Sequence, residues 1–157
     1  MEGTSTEQRP VYKFEQYDSV SGTKDFNYHK FGKTAKVTNK EAIKSIMKEW
    51  KILRKHLPES IFVRVYEERV DLMRAVIIGA QGTPYHNGLF FFDISFPNDY
   101  PNTPPSVHYH SYGLRLNPNL YWNGYVCLSL LNTWNYCEET EKWNPAESTI
   151  LQVLVSI

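Results

Sequence analysis

From residue 40 to residue 57 the apolar positions Ile43, Ile46, Met47, Trp50, Leu53 and Leu57 recur at three- and four-residue steps. That spacing puts them on one stripe of an amphipathic helix, with lysines on a face left for solvent or a partner. Thr38 or Asn39 can cap its start, and Pro58 ends it, because the residue before a proline is pushed out of the helical region. The pattern then changes. The runs I-F-V-R-V-Y, V-D-L-M-R-A-V-I-I, G-L-F-F-F-D-I-S-F and S-V-H-Y-H are short, rich in β-branched and aromatic residues, and bounded by E-E-R, G-A-Q-G-T-P and P-N-D-Y-P. They predict four strands joined closely enough for an antiparallel meander. One helix followed by four strands is an α+β pattern, with the helix packed on one face of the sheet. Near the end, P-A-E-S-T-I-L-Q-V-L-V-S-I begins a second apolar helix with Ser148 or Thr149 in its first turn. It is still apolar at Ile157, where no capping residue follows, so the helix is expected to be truncated.

The stretch before this domain, residues 1–39, is polar and carries Tyr12, Phe14, Tyr17, Phe26, Tyr28 and Phe31 without a clear period. It reads as a partly ordered arm, either a flexible lead-in or a segment that docks on the domain or a partner through its aromatics. The helix, strands and second helix form a single domain over residues 40–157, as suits a chain of 157 residues.

Lys plus Arg and Asp plus Glu stand at 17 each, so no global field favours nucleic acid or an anionic membrane. No signal peptide or membrane-length apolar run is present, which predicts a soluble protein of the cytoplasm or nucleus. Cys127 and Cys137 are the two cysteines, expected as free thiols in a reducing compartment although their spacing alone would allow a bridge. His108 and His110 share a strand face but lack further ligands at metal spacing, and G-A-Q-G-T-P lacks the Lys-Ser/Thr of a phosphate cradle. Cys127 follows N-P-N and a glycine-containing turn in L-N-P-N-L-Y-W-N-G-Y-V-C-L-S-L-L. Taken alone, it is a small buried hydrophobe or a nucleophile beside amide donors.

The wider pattern separates those readings. The helix ending in L-P-E, then Y-H-N-G-L-F-F-F-D-I-S-F-P-N-D-Y-P-N-T-P-P-S-V, then N-P-N with its second Asn eight residues before Cys127, then W-N-P-A, occur in that order. Over Glu41 to Ile157 this resembles the catalytic domain of the ubiquitin-conjugating enzymes. It is most similar to the large plant-type members with a long N-terminal region, on R-V-Y-E-E-R, S-L-L-N-T-W, L-Q-V-L-V-S-I and the earlier Y-K-F-E-Q-Y-D-S-V.

The resemblance implies that Cys127 accepts ubiquitin from an activating enzyme as a thioester and passes it to a substrate lysine or a ligase. ATP is spent by the activating enzyme and no cofactor is bound. Asn119 matches the asparagine that steadies the tetrahedral intermediate or holds the loop, with Pro118 beside it. Asn117 stands where the family usually has histidine, which argues against a histidine general base there. Asn102, in the proline-rich loop, replaces an apolar ligase-contact residue. Pro145 and Ala146 match a second ligase-contact loop, and Lys44 and Lys48 lie on the helix face that members present to activating enzyme and ligase. The segment N-Y-C-E-E-T-E-K between Trp134 and Trp143 is an insertion relative to short members, either a plain surface loop or one that shapes access by a substrate lysine. The domain is expected to be incomplete at its C-terminus, so a catalytically impaired module that binds ubiquitin or partners without turnover is the alternative. A thiol hydrolase is disfavoured, because no histidine is placed by motif to pair with Cys127.

Overall fold

The computed structural model describes residues 13–22 and 28–157. Helix α1 spans Lys40–His56, and Asn39 is its N-cap, its side chain accepting the Glu41 N–H at 2.9 Å. Asn98 Oδ1 accepts both the Thr38 and Asn39 N–H groups at 3.0 Å, so the loop after the sheet's fourth strand fixes the entry of the helix. The buried face is slightly rotated from the expected stripe. Ile46, Trp50 and Leu53 are buried as predicted, and Ile43 and Leu57 pack at the margin, but Ala42 and Glu49 lie inside while Met47 is exposed. A helical stripe is defined only to within about one neighbouring position when the side opposite is not uniformly polar.

The sheet has five strands in the order β1 (Tyr17–Val20), β2 (Ile61–Tyr66), β3 (Leu72–Ile78), β4 (Leu89–Ser95) and β5 (Ser106–Tyr109). The four predicted strands pair antiparallel, as expected. The expected four-stranded sheet is one strand short, because β1 comes from the arm and lies parallel to β2, with Tyr17 opposite Val63 and Val20 opposite Tyr66. Y-D-S-V is too short and too polar to announce a strand, and it is stabilised by the edge it covers rather than by its own pattern. Other described residues of the arm also dock. Phe14 packs 5.6 Å from the Phe62 ring with Arg64 over its face, and Gln16 Nε2 donates to the Pro58 and Ile61 carbonyls. Tyr12 and Phe26 lie outside the described residues. Strand β3 starts at Leu72 rather than Val70, because Arg69 holds Asp71 through two hydrogen bonds in a tight turn that the strand only then leaves.

Strand alternation separates two faces. Val63, Ala75, Phe92 and Tyr109 lie in one row across the sheet, and Val65, Met73 and Ile94 in another. All are buried and form the core with α1 and with helix α2, Ile150–Ser156. The other face carries Arg64, Arg74, Asp93 and His108 in one row. Asp93 is fully buried there, and the turn after residue 27 folds over it. Arg74 donates to both Asp93 oxygens at 2.6 and 3.0 Å, Lys30 N–H donates at 2.8 Å, and His110 Nε2 lies 2.8 Å away. His29 is neutral. Burial lowers its pKa, and its Nε2 donates to the Met73 carbonyl, so its 3.7 Å approach to Asp93 is contact with an uncharged ring.

Helix α2 begins later than P-A-E-S-T suggests. Asn144 and Ser148 close a turn by hydrogen bonds at 2.8 and 2.9 Å, so Ser148 lies outside the helix, and Thr149 caps it in a reciprocal pair with Gln152. Glu49 of α1 joins three elements, accepting the Tyr100 hydroxyl at 2.6 Å and the Ile150 N–H at the start of α2. Among the described residues no helix is long and apolar enough to cross a membrane.

Candidate active site

The chain between β5 and α2 has almost no regular structure, and side-chain hydrogen bonds fix its path. Gly124 makes the turn before the cysteine. Its φ is +88°, and a Cβ there would come within 2.0 Å of the His108 ring, so this position needs glycine for both reasons. Two bridges, Asn117 with Leu120 and Leu120 with Val126, bring N-P-N beside the cysteine, and the Cys127 N–H donates to the Asn119 carbonyl at 2.9 Å.

Asn117 holds this loop with its side chain. Its Oδ1 accepts the Asn119 N–H at 2.8 Å, and its Nδ2 donates to the Tyr85 hydroxyl at 3.1 Å. That hydroxyl donates onward to the Leu116 carbonyl at 3.1 Å. Tyr85 sits in the β3–β4 connection, 32 residues from Asn117, and no local pattern announces such a contact. Tyr85→Phe removes the hydroxyl that serves both groups, and the site is only half-buried, so a loss of about 1 kcal/mol is expected. A fall in the urea midpoint of unfolding checks this, and an unchanged midpoint contradicts it.

Past the cysteine, Thr133 is the latch, and sequence reasoning missed it. Its hydroxyl donates towards the Val126 carbonyl at 2.7 Å and accepts the Leu128 N–H at 2.8 Å, while its carbonyl accepts the Cys127 thiol at 3.3 Å and the Tyr125 hydroxyl at 3.2 Å. The turn that returns it is made by Asn132 in the left-handed region at φ 55°. Cys127 is 6% exposed, and burial pushes its thiol pKa up, so at neutral pH it is held protonated on the Thr133 carbonyl. Cys127 and Cys137 are both free thiols.

Cys127 opens on a cleft of about 230 Å³ lined by Asn119, Leu128, Ser129, Trp134 and Glu141. Asn119 is exposed and lines this cleft, Asn117 is half-buried behind it, and Pro118 is exposed between them. A larger apolar cleft of about 400 Å³ lies away from the thiol, between the ends of β2 and β3 and the end of α2. Asn102, Pro145 and Ala146 are exposed on two loops clamped together, since Trp143 Nε1 donates to the Pro101 carbonyl at 2.7 Å and the Tyr100 and Trp143 rings lie 5.8 Å apart. Lys44 and Lys48 are exposed on α1. His110 is taken up by Asp93, and the His108 ring occupies the space over Gly124. Among the described residues no group of three or more His, Cys, Asp or Glu is placed to hold a metal ion.

Comparison with known proteins identifies the family. A family model described as ubiquitin-conjugating enzyme matches residues 45–157. The chain is 62% identical over 144 residues to the probable ubiquitin-conjugating enzyme E2 25 of Arabidopsis thaliana, covering 92% of this chain and 24% of that protein. It is 59% identical to the putative ubiquitin-conjugating enzyme E2 38 of the same plant, over 92% of this chain and 44% of that protein. The chain therefore spans less than half of these relatives' own lengths. Among solved structures it is similar to a ubiquitin-conjugating enzyme E2 from Plasmodium falciparum, with a TM-score of 0.59 and 26% identity over 71% of this chain and 89% of that one. With the family model covering most of the described domain and this identity to its relatives, the chain belongs to the ubiquitin-conjugating enzyme family.

Proposed function

We propose that this chain carries ubiquitin as a thioester on Cys127 and transfers it to an acceptor. The observation that supports this most directly is the shared cleft, in which the one buried thiol of the loop opens beside the exposed amide of Asn119. In the loading step the Cys127 sulfur attacks the thioester carbonyl that joins ubiquitin to the activating enzyme. A new C–S bond forms, the old one breaks, and the proton given up by Cys127 balances the thiolate released. The activating enzyme has already spent ATP, so the exchange asks no cofactor of this chain.

Asn119 donates its side-chain amide to the oxyanion of the tetrahedral intermediate, a contribution of about 2.7–4 kcal/mol in related acyl transfers. Asn117 is a positioning residue, since it braces the Asn119 backbone and ties the loop to Tyr85. Lys44 and Lys48 form part of the surface offered to activating enzyme and ligase, and Asn102, Pro145 and Ala146 the remainder of the ligase surface. The polar Asn102 disfavours a ligase that inserts an apolar side chain at that point. Membership of the family supports an intracellular site of action.

The test is direct. The purified chain is incubated with activating enzyme, ubiquitin and ATP and resolved without reductant. A ubiquitin adduct that disappears on adding thiol supports the reading, and the absence of an adduct from folded protein overturns it.

A further inference from the structure

Two donors meet on one oxygen beside the reactive sulfur. The Thr133 carbonyl accepts the Cys127 thiol at 3.3 Å and the Tyr125 hydroxyl at 3.2 Å, and among the described residues no other hydrogen bond reaches it. Both ends of this arrangement are fixed. The Thr133 hydroxyl is bound to Val126 and Leu128, and its backbone N–H donates to the Leu128 carbonyl at 3.2 Å. The Tyr125 carbonyl accepts the Tyr121 N–H at 2.9 Å, and the Tyr125 N–H donates to Asn123 Oδ1 at 3.1 Å. The two tyrosine rings meet edge-on with centroids 5.6 Å apart, and Arg115 lies over the Tyr121 ring. Tyr125 is outside the residues that line the cleft shared by Cys127 and Asn119, so it acts on the thiol through the Thr133 carbonyl and not from the substrate's side.

An S–H bond to a carbonyl is one that only the protonated thiol can make. Ionisation removes that donor and leaves a thiolate facing the negative end of the C=O dipole, and acylation of the sulfur removes it as well. We propose that Tyr125 is a positioning residue for thioester formation: its hydroxyl, held on the Thr133 carbonyl, eases release of the Cys127 proton and keeps that carbonyl satisfied once the sulfur is acylated. This rests on Cys127 carrying the thioester. With the hydroxyl in place, part of the carbonyl's negative charge is already engaged, so the thiol is bound less tightly and the thiolate repelled less. The proton leaves to a base in solution, and no other bond changes before the sulfur attacks. Without the hydroxyl the thiol is the carbonyl's one donor, and losing its proton leaves the oxygen bare. Two other titratable groups pack around this loop. Glu141 lines the cleft, and the His108 ring, its pKa lowered by burial, covers Gly124. An ordinary carboxyl or imidazole titrates below the alkaline range of a thiol, so the alkaline limb of a reactivity profile reports on Cys127.

The experiment compares wild type with Tyr125→Phe, which keeps the ring against Tyr121 and removes the oxygen alone. Each is alkylated with iodoacetamide from neutral to alkaline pH, and modification of Cys127 is followed by mass spectrometry, which separates it from Cys137. In Tyr125→Phe the midpoint of the rate profile is expected to rise by about 0.5 pH units or more, so that alkylation at neutral pH slows by about threefold or more. The limiting rate at high pH is expected to stay at the wild-type value, because access to the sulfur is unchanged. With activating enzyme, ubiquitin and ATP, the initial rate of loading falls as well. An unchanged or lowered midpoint overturns the proposal. So does a lower limiting rate at an unchanged midpoint, which marks a merely distorted loop, and so does a raised midpoint with loading at the wild-type rate. If wild type forms no thiol-labile adduct, the carrier reading falls and takes the part of Tyr125 in thioester formation with it, a result visible before any variant is compared.

Discussion

Cys127→Ser is expected to form a ubiquitin adduct that survives thiol, and Cys127→Ala none. In wild type the acyl group sits on sulfur, and any excess thiol exchanges with it, so the adduct is lost on reduction. A serine oxygen in the same place can accept the acyl group only slowly, because an alcohol is a far weaker nucleophile at neutral pH than a thiol with even a small thiolate fraction. Once formed, the oxygen ester resists both thiol and amine, so it accumulates. Alanine has no nucleophile and leaves the chain unmodified. Burial adds a pH dependence to wild type. Because it raises the Cys127 pKa, the thiolate fraction at a given pH is smaller than that of an ordinary thiol near 8.5, and alkylation by iodoacetamide should continue to accelerate above that value. The rate is followed at Cys127 by mass spectrometry. A thiol-labile adduct on Cys127→Ala places the carrier at Cys137, and an alkylation rate already level below the ordinary thiol range contradicts the effect of burial.

The parts of this molecule that were legible in the sequence are those whose information is local. Ile46, Trp50 and Leu53 announced α1 because a helix repeats every 3.6 residues within one segment, and the four central strands were bounded by turn residues of their own. The N-P-N and Cys127 pairing was legible as a motif, and both elements do come together, through Leu120 and the Asn119 carbonyl. What was hidden depends on partners distant in the chain. Strand β1 exists because β2 has an open edge 46 residues later, where Tyr17 meets Val63. The contact of Asn117 with Tyr85 and the closing of the Trp134–Trp143 segment at Asn132 are likewise tertiary, and neither residue type at those positions is unusual. Thr133 lies close in sequence to Cys127, yet its role needs the reversal at Asn132, which only the fold specifies. Glu141 was visible as one acid in an acidic stretch, and its separation from Glu139 became apparent only when the two pointed to different partners.

The same dependence on distant partners makes Asp93 the position whose loss should cost most in stability. In Asp93→Ala the Arg74 guanidinium, the Lys30 N–H and the His110 ring lose their shared acceptor at the heart of the face on which the arm folds. Removing one partner from a buried charged network costs about 3–5 kcal/mol, because the remaining charge loses its counter-charge in a site that water reaches poorly. Arg74 is 27% exposed and can recover some water, which places the expected loss near the lower end of that range. Asp93 also sets a pH dependence. Burial acts to raise its pKa, but the Arg74 hydrogen bonds and the Lys30 N–H outweigh it and hold the carboxyl below its ordinary value. A depressed carboxylate contributes stability that is present above the unfolded-state pKa of about 3.9 and is lost as pH falls through the lower folded-state value. The gap in urea midpoint between wild type and Asp93→Ala should therefore be full at neutral pH and narrow only in acid below about 3.9. The pairwise comparison cancels groups that titrate alike in both chains, among them Glu49, whose pKa is raised by burial and which works in the opposite direction. A gap under about 1 kcal/mol at neutral pH, within the range of an exposed ion pair, shows that the cluster does not anchor the arm, and a gap that widens in acid shows that Asp93 is not held ionised by Arg74.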